Sequence, residues 1–554
     1  MTDDSTFPPV NEKNDRRLTS THVTNTEIRL ILDNLHSNKA TGPDEISGRI
    51  LKECARELTP SITKICNLSL SQGKFPHSWK LANVVPVYKK GCRKSAENYR
   101  PVSLLSIVSK VLERAVIDNI YEVLLPQLNV LQHGFLRGKS TVTQLLSVFN
   151  EISSHLDESG QTDVIYSDFS KAFDSVPHHL LIHKLKSFGF NGPLLNWFAS
   201  YLTDRSQRVV IDGEMSSCLP VLSGVPQGSI LGPLLFLLYI NDISNNLTPN
   251  SKIALFADDA KIFRRILSLA DCISLQSDLS SLEYWSKTWL MNFNAKKCKV
   301  MTIARRVKHH FEYYLNNTKL DHVNEFNDLG VFLSSDMTWS AHIRPKVSKA
   351  NQLLGMIKRS LGVQAPIQAK RLLFSSLIKP SLLYGSIIWS ANKHDTNLIE
   401  SVQRRATKYI LNDYASDYKA RLKRLNLLPI SYCKEIADVC FLYKCINKFY
   451  QFDISEVVKF VNVSNATRSA SFRKKLAHTI INTETFANFF SNRVVHIWNS
   501  LPDNIRCIVS KNKFIRPFKR VIRGYYASLT ETRFNVDDAC TWTTCCRCPR
   551  CRPA

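Results

Sequence analysis

Two short stretches, VIYSDFSKAFDSV (164–176) and IALFADDAKIF (253–263), decide the fold of this chain. Each is an apolar, strand-like run that leads into carboxylates: Asp168 in the first, and Asp258 with Asp259 in the second. The apolar residues on both sides of the acidic pair predict a strand, a tight turn and a second strand. Crowded carboxylates repel each other unless a cation neutralises them, and Mg²⁺ prefers carboxylate and phosphate oxygens. The sequence therefore predicts a divalent metal site and phosphoryl chemistry.

The length and charge of the chain point to a nucleic-acid partner. Its 554 residues are 44% hydrophobic, which is enough for a large core and several domains. The net charge is +26, and the basic residues recur in separate segments, which favours a polyanion over an acidic membrane surface. No apolar signal core is visible near the N-terminus, and the most apolar run, 230–240, is too short to span a membrane. We therefore expect an intracellular protein, nuclear or cytoplasmic and not secreted, with no membrane partner and with reduced cysteines.

A third stretch, SGVPQGSILGPLLF (223–236), lies between the two carboxylate stretches. Its glycines and prolines fix an unusual backbone path that leads into an apolar helix. Exposed amides at a helix start suit a phosphate or a base-paired template. Taken singly, each of the three stretches also reads as an ordinary turn, connection or capped strand. What favours a functional reading is their order along the chain.

This ordered set resembles the reverse transcriptases of non-LTR (LINE-type) retrotransposons, and in appearance their jockey-like and chicken-repeat-like branches. The segment 166–176 resembles motif A of that family, 223–236 its motif B and FADDAKIF (256–263) its motif C. WLMNFNAKKCKVM (289–301) is similar to motif D, and DLGVFLSSDMTWSAHI (328–343) to motif E, the primer grip. The resemblance covers about residues 25–535, and its other matching segments are GPDEISGRILK (42–52), WKLANVVPVYKKG (79–91), ENYRPVSLLSIVSKVLER (97–114), LQHGFLRGKSTVTQLL (131–146), LLYGSIIWS (382–390) and FFSNRVVHIWNSLPDNIR (489–506).

The resemblance implies an α+β fold, a right-hand polymerase with fingers, a palm built on an antiparallel sheet, a helical thumb and a mainly helical C-terminal region. The expected parts are a disordered N-terminus (1–25), a helical N-terminal extension (26–80), fingers and palm (81–335), thumb (336–430), C-terminal helical region (431–535) and Cys-rich tail (536–554). Because the resemblance begins close to Met1, we expect no endonuclease domain on this chain, and a separate endonuclease is an expected partner.

The resemblance also implies roles at the carboxylates. Asp168 and Asp258 would bind two Mg²⁺ ions, with Mn²⁺ as a substitute, and Asp259 would support them. Lys297, which matches the lysine of motif D, would protonate the leaving pyrophosphate. A plain phosphate-binding charge is the alternative for Lys297 and for Lys89 in the fingers. Asp174, the second acid of motif A, is read as a helix cap or a structural acid.

Nucleotide contacts are implied at five further positions, which are Phe173, Arg100, Lys89, Gln227 and Gly228. Phe173 would exclude a ribose 2′-hydroxyl and so favour deoxynucleotides. Arg100 and Lys89 would meet the incoming triphosphate from the fingers, and Gln227 with Gly228 would place the template base. The expected partners are accordingly an RNA template, a DNA primer or target, and dNTPs.

The C-terminal tail, CTWTTCCRCPRC (540–551), differs in composition from the rest of the chain. Its cysteines have C-x-C and C-x₂-C spacings beside two arginines, so a zinc knuckle formed by Cys540, Cys545, Cys548 and Cys551 is one reading. The segment contains no histidine and no clean two-pair spacing, so a thiol-rich tail without zinc is the other.

The function implied by the resemblance is RNA-directed DNA polymerisation, in which a primer 3′-hydroxyl is extended on an RNA template. Two alternatives stay open. One is an inactive or domesticated retrotransposon-derived protein that still binds nucleic acid. The other is a group II intron maturase, against which the segment WNSLPDNIR (498–506) argues.

Overall fold

The computed structural model of the protein describes residues 7–9, 17–461, 475–506 and 515–532. Its N-terminal extension consists of α1 (Asn25–Asp33), α2 (Gly48–Glu53) and α3 (Ala55–Gln72). Thr24 begins α1 with a capping box, in which its hydroxyl accepts from the Glu27 N–H while the Glu27 carboxylate accepts from the Thr24 N–H. These three helices occupy the predicted helical extension.

Residues 17–24 differ from the predicted disordered N-terminus. Val23 is fully buried, and the Asn67 side chain pairs with both its N–H and its C=O at 2.9 Å. Leu18 lies beside Phe190 in an isolated parallel bridge. A buried apolar side chain and paired backbone groups hold this segment in place in spite of its polar composition.

Residues 81–334 contain the strands and helices that the resemblance assigns to the fingers and the palm. The fingers comprise β1 (Leu81–Tyr88), β2 (Tyr99–Leu104), α4 (Ile107–Leu124) and α5 (Thr141–Asp157). The palm comprises β3 (Gln161–Ser167), α6 (His178–Ser187), α7 (Gly192–Leu202), β4 (Arg205–Ile211), β5 (Glu214–Met215), β6 (Leu219–Val221), α8 (Leu231–Tyr239), β7 (Ser251–Phe256), β8 (Asp259–Ile266), α9 (Leu269–Thr288), β9 (Lys299–Ala304), β10 (Tyr314–Leu315), β11 (Thr318–Lys319), β12 (Asp321–His322), β13 (Glu325–Asp328) and β14 (Val331–Ser334).

The palm is built on a five-stranded sheet in the order β12-β9-β3-β8-β7. Its central strand, β3, pairs antiparallel with both β8 and β9 and is buried along its whole length. Successive side chains of a strand point to opposite faces, so Ile165 packs with the N-terminal extension and the palm helices, whereas Val164 and Tyr166 pack with α5 and the thumb. Burial on both faces explains why the apolar residues of this strand, Val164, Ile165 and Tyr166, are consecutive rather than alternating.

A second sheet connects the fingers to the palm. β1 and β2 form an antiparallel hairpin, β4 joins β1 in parallel, and β5 and β6 pair with β4. β4 and β6 come from the segment between motifs A and B, so this sheet ties the fingers hairpin to the loop that precedes α8.

The thumb and the C-terminal region are helical. The thumb consists of α10 (Ser340–Leu361), α11 (Ile367–Leu373), α12 (Lys379–Leu383), α13 (Lys393–Leu411) and α14 (Tyr418–Leu425), and the C-terminal region of α15 (Ile430–Ile446), α16 (Glu484–Ala487), α17 (Phe490–Asn499), α18 (Asp503–Arg506) and α19 (Arg516–Thr532). Among the helices of the described chain, none combines the length and apolar character that crossing a membrane requires. The predicted α+β fold with a helical C-terminal region is confirmed.

Candidate active site

The carboxylates of motifs A and C lie at the same end of the palm sheet. Asp168 directly follows β3, and the turn between β7 and β8 consists of Ala257 and Asp258, with Asp259 opening β8. β3 runs antiparallel to β8 with Ser167 opposite Ala260, so the end of β3 lies beside this turn. Residues that are 90 positions apart in sequence are thereby brought together, as the order of the motifs predicts.

The electrostatics of this end of the sheet are those of crowded acids facing the fingers. Burial raises the pKa of Asp258, and the neighbouring Asp168 raises it further, while Arg100 and Lys89 oppose the rise. The pKa of Asp259 is raised to about 6 by burial and by three carboxylates, those of Asp258, Asp328 and Asp168, with Lys261 opposing. The Asp259 side chain is nevertheless exposed to solvent at the start of β8. Such a site favours a bound cation, because the positive charge offsets both the cost of burying the charged carboxylates and their mutual repulsion.

Lys297 and Asp168 form an ion pair across motifs A and D. The Lys297 Nζ atom lies 3.0 Å from Asp168 Oδ2, without the angles of a hydrogen bond, and within the described chain that buried oxygen has no hydrogen-bond donor. The Asn294 N–H donates to the Asp168 carbonyl oxygen at 2.7 Å, and the Phe169 and Phe293 rings stack at 4.4 Å between centroids. The backbone of motif D is therefore fixed against motif A, and the Asp168 carboxylate is paired with the Lys297 ammonium group.

This carboxylate set fits a magnesium ion that takes its remaining ligands from substrate. Among the described residues, no three His, Cys, Asp or Glu side chains converge into a complete metal site. Mg²⁺ is usually held by one or two carboxylates together with water and substrate phosphates. Asp168, with its buried oxygen that lacks a donor, and Asp258, whose negative charge is unfavourable without a cation, offer that partial set.

The motif B loop is held between motif A and the fingers. Gln227 Nε2 donates to Asp174 Oδ1 at 2.9 Å, and the Gln227 carbonyl oxygen accepts from the Ser103 N–H of β2 at 2.7 Å. At Gly228, φ is +134° and a Cβ would lie 2.3 Å from the Ser103 oxygen, so only glycine fits. Asp174 is thus a structural acid rather than a helix cap, and burial raises its pKa.

Phe173 is positioned from two sides by aromatic rings. It stacks on Phe236 of α8 at 4.4 Å between centroids with an interplanar angle of 20°, and its edge meets Phe135 at 5.9 Å. The Phe173 carbonyl oxygen also accepts from the Val225 N–H at 2.8 Å. The half-buried ring has little freedom to move, which suits a steric role.

Arg100 and Lys89 lie on the fingers hairpin opposite the carboxylates. Arg100 of β2 pairs with Val87 of β1, and the Lys89 N–H donates to the Asn98 oxygen at 2.9 Å just beyond the strand. Both side chains are exposed, yet both are close enough for their charges to lower the pKa of Asp258. Crowded acids with cations close enough to act on them can take a metal-bound triphosphate.

Two residues that sequence reasoning missed secure the β7–β8 turn. Gln132 Oε1 accepts from the Ala257 N–H at 2.9 Å and from the Gly134 N–H at 2.7 Å. A Cβ on Gly134 would lie 2.3 Å from the Ala257 nitrogen. Both residues belong to the segment 131–146 that resembles the fingers, but nothing local in that segment indicates a contact with the turn.

A third missed residue, Glu113, secures the helix that follows motif B. This fully buried carboxylate accepts from the N–H groups of Ile230 at 2.7 Å and Leu231 at 3.1 Å. A carboxylate at a helix N-terminus pairs otherwise unsatisfied donors and complements the helix dipole. Glu113 thereby fixes α8, and with it the Phe236 ring under Phe173, to the fingers helix α4.

The comparisons with known proteins agree with this geometry. Residues 87–333 match the family model described as "Reverse transcriptase (RNA-dependent DNA polymerase)". The chain is 29% identical over 408 residues to "RNA-directed DNA polymerase from mobile element jockey" of Drosophila melanogaster, covering 70% of this chain and 44% of that protein. It is also 29% identical to two proteins of the same organism, "Probable RNA-directed DNA polymerase from transposon BS", over 69% of this chain and 44% of the relative, and "Probable RNA-directed DNA polymerase from transposon X-element", over 69% and 43%.

The fold and the match together define a reverse transcriptase domain. Within that class, the chain is similar to the RNA-directed DNA polymerases of non-LTR retrotransposons, and the resemblance seen in the motifs is confirmed. The chain spans less than half the length of the curated relatives it matches. The predicted zinc ligands Cys540, Cys545, Cys548 and Cys551 lie outside the described residues.

Proposed function

We propose that this chain extends a primer 3′-hydroxyl on an RNA template by nucleotidyl transfer from dNTPs. The observation that carries the proposal is the meeting of Asp168 with Asp258 at one end of the palm sheet, opposite Arg100 on the fingers. A neutral or weakly charged substrate would not need this arrangement. A metal-bound triphosphate needs carboxylates for the metal and a cation for the phosphates. The relatives named as RNA-directed DNA polymerases support the same activity.

Asp168 and Asp258 would hold two Mg²⁺ ions, or Mn²⁺ in their place, with Asp259 in support. When bound, the ions supply Lewis acidity to the primer hydroxyl and to the leaving pyrophosphate. The carboxylates orient the reacting groups, because catalysis of phosphoryl transfer is mainly positioning and charge stabilisation. Asp259, with a pKa near 6, is ionised at neutral pH and adds negative charge without needing to contact the substrate.

The remaining residues would bind the nucleotide and move its proton. Arg100 and Lys89 hold the triphosphate from the fingers, and Phe173 closes the pocket against a 2′-hydroxyl. The Gln227–Gly228 backbone, fixed on β2, supports the template base. Lys297 delivers a proton to the pyrophosphate oxygen as the bond to the α-phosphorus breaks.

The test is primer extension on an RNA template with the full chain, comparing the wild type with Asp258→Ala. Removing this carboxylate is expected to lower the extension rate by about 10²- to 10³-fold, since one group that stabilises the transition state is commonly worth that much. Asp212→Asn, at an exposed carboxylate in the turn between β4 and β5, is the matched control and is expected to extend normally. Equal absence of extension in the wild type and Asp258→Ala would favour a domesticated nucleic-acid-binding protein instead.

A further inference from the structure

The β13–β14 hairpin of motif E ends in a turn of unusual backbone. Asp328 pairs with Val331, and the two residues between them, Leu329 and Gly330, have φ values of +47° and +86°. Two left-handed residues in succession are typical of the tight turn that matches the twist of a β-hairpin. The tip therefore has a defined shape and projects as a unit.

The base of this hairpin is anchored to the palm close to the carboxylates. Lys261 of β8 and Asp328 form a buried ion pair, and the Phe326 ring stacks on Tyr166 of β3 at 3.8 Å between centroids. Lys261 lies two residues after Asp259, and Asp328 is one of the groups that raise the pKa of Asp259. A displacement of the hairpin would therefore move Asp328 relative to Lys261 and Asp259, at the end of the sheet that carries the carboxylates.

The tip of the hairpin is tied to the thumb by Tyr384. The Tyr384 hydroxyl donates to the Leu329 carbonyl oxygen at 2.8 Å and lies 3.4 Å from the Thr141 hydroxyl of α5. A Cβ on Gly330 would lie 3.0 Å from the Tyr384 ring. One phenol therefore contacts both residues of the turn and also reaches the fingers.

Tyr384 is itself held by the C-terminal region. Its carbonyl oxygen accepts from Trp389 Nε1 at 2.8 Å, which closes the loop 384–389. Arg493 Nη2 donates to the carbonyl oxygens of Ser386 at 2.9 Å and Ile387 at 2.8 Å, while its guanidinium makes two 2.9 Å bonds to the Asp438 carboxylate. Arg493 and Asp438 are both buried, so this clamp is rigid and protected from water.

We propose that Tyr384 is a positioning residue that keeps the motif E turn, and the primer lying on it, in register with the palm carboxylates. The inference rests on the proposed function and on the primer grip that the resemblance of residues 328–343 to motif E implies. It adds that the grip is completed from the thumb, and that Arg493 of the C-terminal region holds Tyr384 in place. The segments 382–390 and 489–506, which matched the family without an assigned task, thereby acquire a joint one.

The discriminating variant is Tyr384→Phe, which keeps the ring against Gly330 and removes only the hydroxyl. Its matched control is Tyr409→Phe, because the Tyr409 hydroxyl makes the same kind of bond, at 2.9 Å, to the Gly362 carbonyl oxygen elsewhere in the thumb. A purely structural role makes the two variants equivalent. A positioning role makes only Tyr384→Phe bind the primer poorly.

Two measurements are made on each full-length variant. The first is the Kd for a fluorescent primer–template duplex by anisotropy in EDTA, which does not depend on bound metal or turnover. The second is steady-state extension with Mg²⁺, giving kcat and the KM for the duplex. We expect Tyr384→Phe to raise both the Kd and the KM about three- to ten-fold, the effect of one lost hydrogen bond, with kcat changed less than two-fold and Tyr409→Phe matching the wild type.

Arg493→Lys provides a second, independent variant. Lysine keeps a positive charge beside Asp438 but cannot bond the carboxylate and two carbonyl oxygens together. A rise in Kd in the same direction, not additive with Tyr384→Phe in the double variant, supports the clamp. Equal Kd values for Tyr384→Phe, Tyr409→Phe and an active wild type overturn this inference alone. A wild type that neither binds nor extends the primer overturns the proposed function, and the inference with it.

Discussion

Gln132 Oε1 accepts a hydrogen bond at 2.9 Å from the N–H of Ala257, the residue that precedes Asp258 in the β7–β8 turn. Ala257 has a φ of +55°, an unfavourable conformation for a residue with a side chain. Such strain persists only where the surroundings hold it, and here Gln132, 2% exposed, does so from the fingers. The position of the Asp258 carboxylate is therefore set by a residue outside the palm sheet.

Gly134→Ala should distort this turn. The added Cβ would lie 2.3 Å from the Ala257 nitrogen and 2.9 Å from the Phe256 carbonyl carbon, and neither backbone atom can swing aside. We expect the turn to shift, with kcat for primer extension falling about 100-fold, the scale of a 1 Å misplacement. Overpacking should also cost about 1–3 kcal/mol of unfolding free energy, measured by denaturant titration.

Gly524→Ala is the matched control for that change. A Cβ on Gly524, inside α19, meets nothing within 4 Å. We expect unchanged extension and a gain of up to about 1 kcal/mol in stability, because alanine favours the helix over glycine. Normal extension by Gly134→Ala would contradict the view that the fingers segment positions the turn.

The features that could be predicted from the sequence are those whose signals are local. The apolar runs before Asp168 and Asp258, and the glycines and prolines around Gln227, fix strands and a loop from neighbouring residues alone. The order of these segments indicated the resemblance to a known family. That resemblance in turn predicted the antiparallel palm sheet and the helical thumb. No pairing register between β3 and β8 follows from composition, yet the order of the motifs already implied that the acids meet.

The features that could not be predicted depend on contacts between distant segments. Gln132 and Ala257 are 125 residues apart, and Glu113 is 117 residues from the Ile230 N–H that it accepts from. A glutamine in a polar loop and a glutamate on a helix both read as solvated side chains, because sequence periodicity reports exposure and not partners. Residues 17–24 show the opposite case, in which a segment of polar composition is ordered. Val23 has no apolar pattern around it, but it is buried and its N–H donates to Asn67 of α3.

Phe173→Val is expected to weaken discrimination between deoxyribonucleotides and ribonucleotides. The stack on Phe236 fixes the Phe173 ring, and valine leaves that part of the pocket open. A change in pocket volume of the size produced by Phe173→Val is expected to alter the preference for deoxyribonucleotides about 10- to 100-fold. The measurement is the ratio of kcat/KM for dCTP and CTP on the same primer–template.

Phe135→Val is a useful comparison for that experiment. Phe135 is largely exposed and lies perpendicular to the Phe173 ring, with 5.9 Å between the ring centroids. The stack remains in this variant, so the selectivity ratio should change much less. An unaltered ratio in an active Phe173→Val variant would remove Phe173 from the discrimination of the sugar.

His133→Asn should make the protein more tolerant of acid. Burial lowers the pKa of His133 to about 3, with Lys139 and Lys261 contributing, and its Nδ1 lies 2.9 Å from the Thr143 hydroxyl. In the unfolded chain His133 becomes protonated near pH 6.5, whereas in the folded protein it stays neutral until about pH 3. The folded state therefore loses stability as the pH falls from 6.5 toward 3. Asparagine offers an N–H in a similar place without this titration.

The measurement is the difference in melting temperature between the wild type and His133→Asn from pH 7 to pH 4. The difference should move steadily in favour of the variant below pH 6.5 and stay level above it. Parallel curves over the whole range would show that His133 does not titrate on unfolding. Other buried groups titrate in both proteins alike and cancel in the difference.

Substitutions of Lys297 distinguish its two possible roles, which are proton donor and fixed positive charge. The sequence left both roles open. The Lys297 Nζ atom lies 3.0 Å from Oδ2 of Asp168, one of the two proposed metal ligands. Lys297→Arg keeps the charge, but a guanidinium holds its proton too tightly to release it at neutral pH. If Lys297 donates a proton, Lys297→Arg and Lys297→Met should both lower the rate of a single nucleotide addition, by about 10²-fold or more. If it only binds phosphate, Lys297→Arg should stay within a few-fold of the wild type while Lys297→Met falls. Rapid-quench rates measured from pH 6 to 9 separate the two, because only a donor adds a pH limb that disappears in both variants.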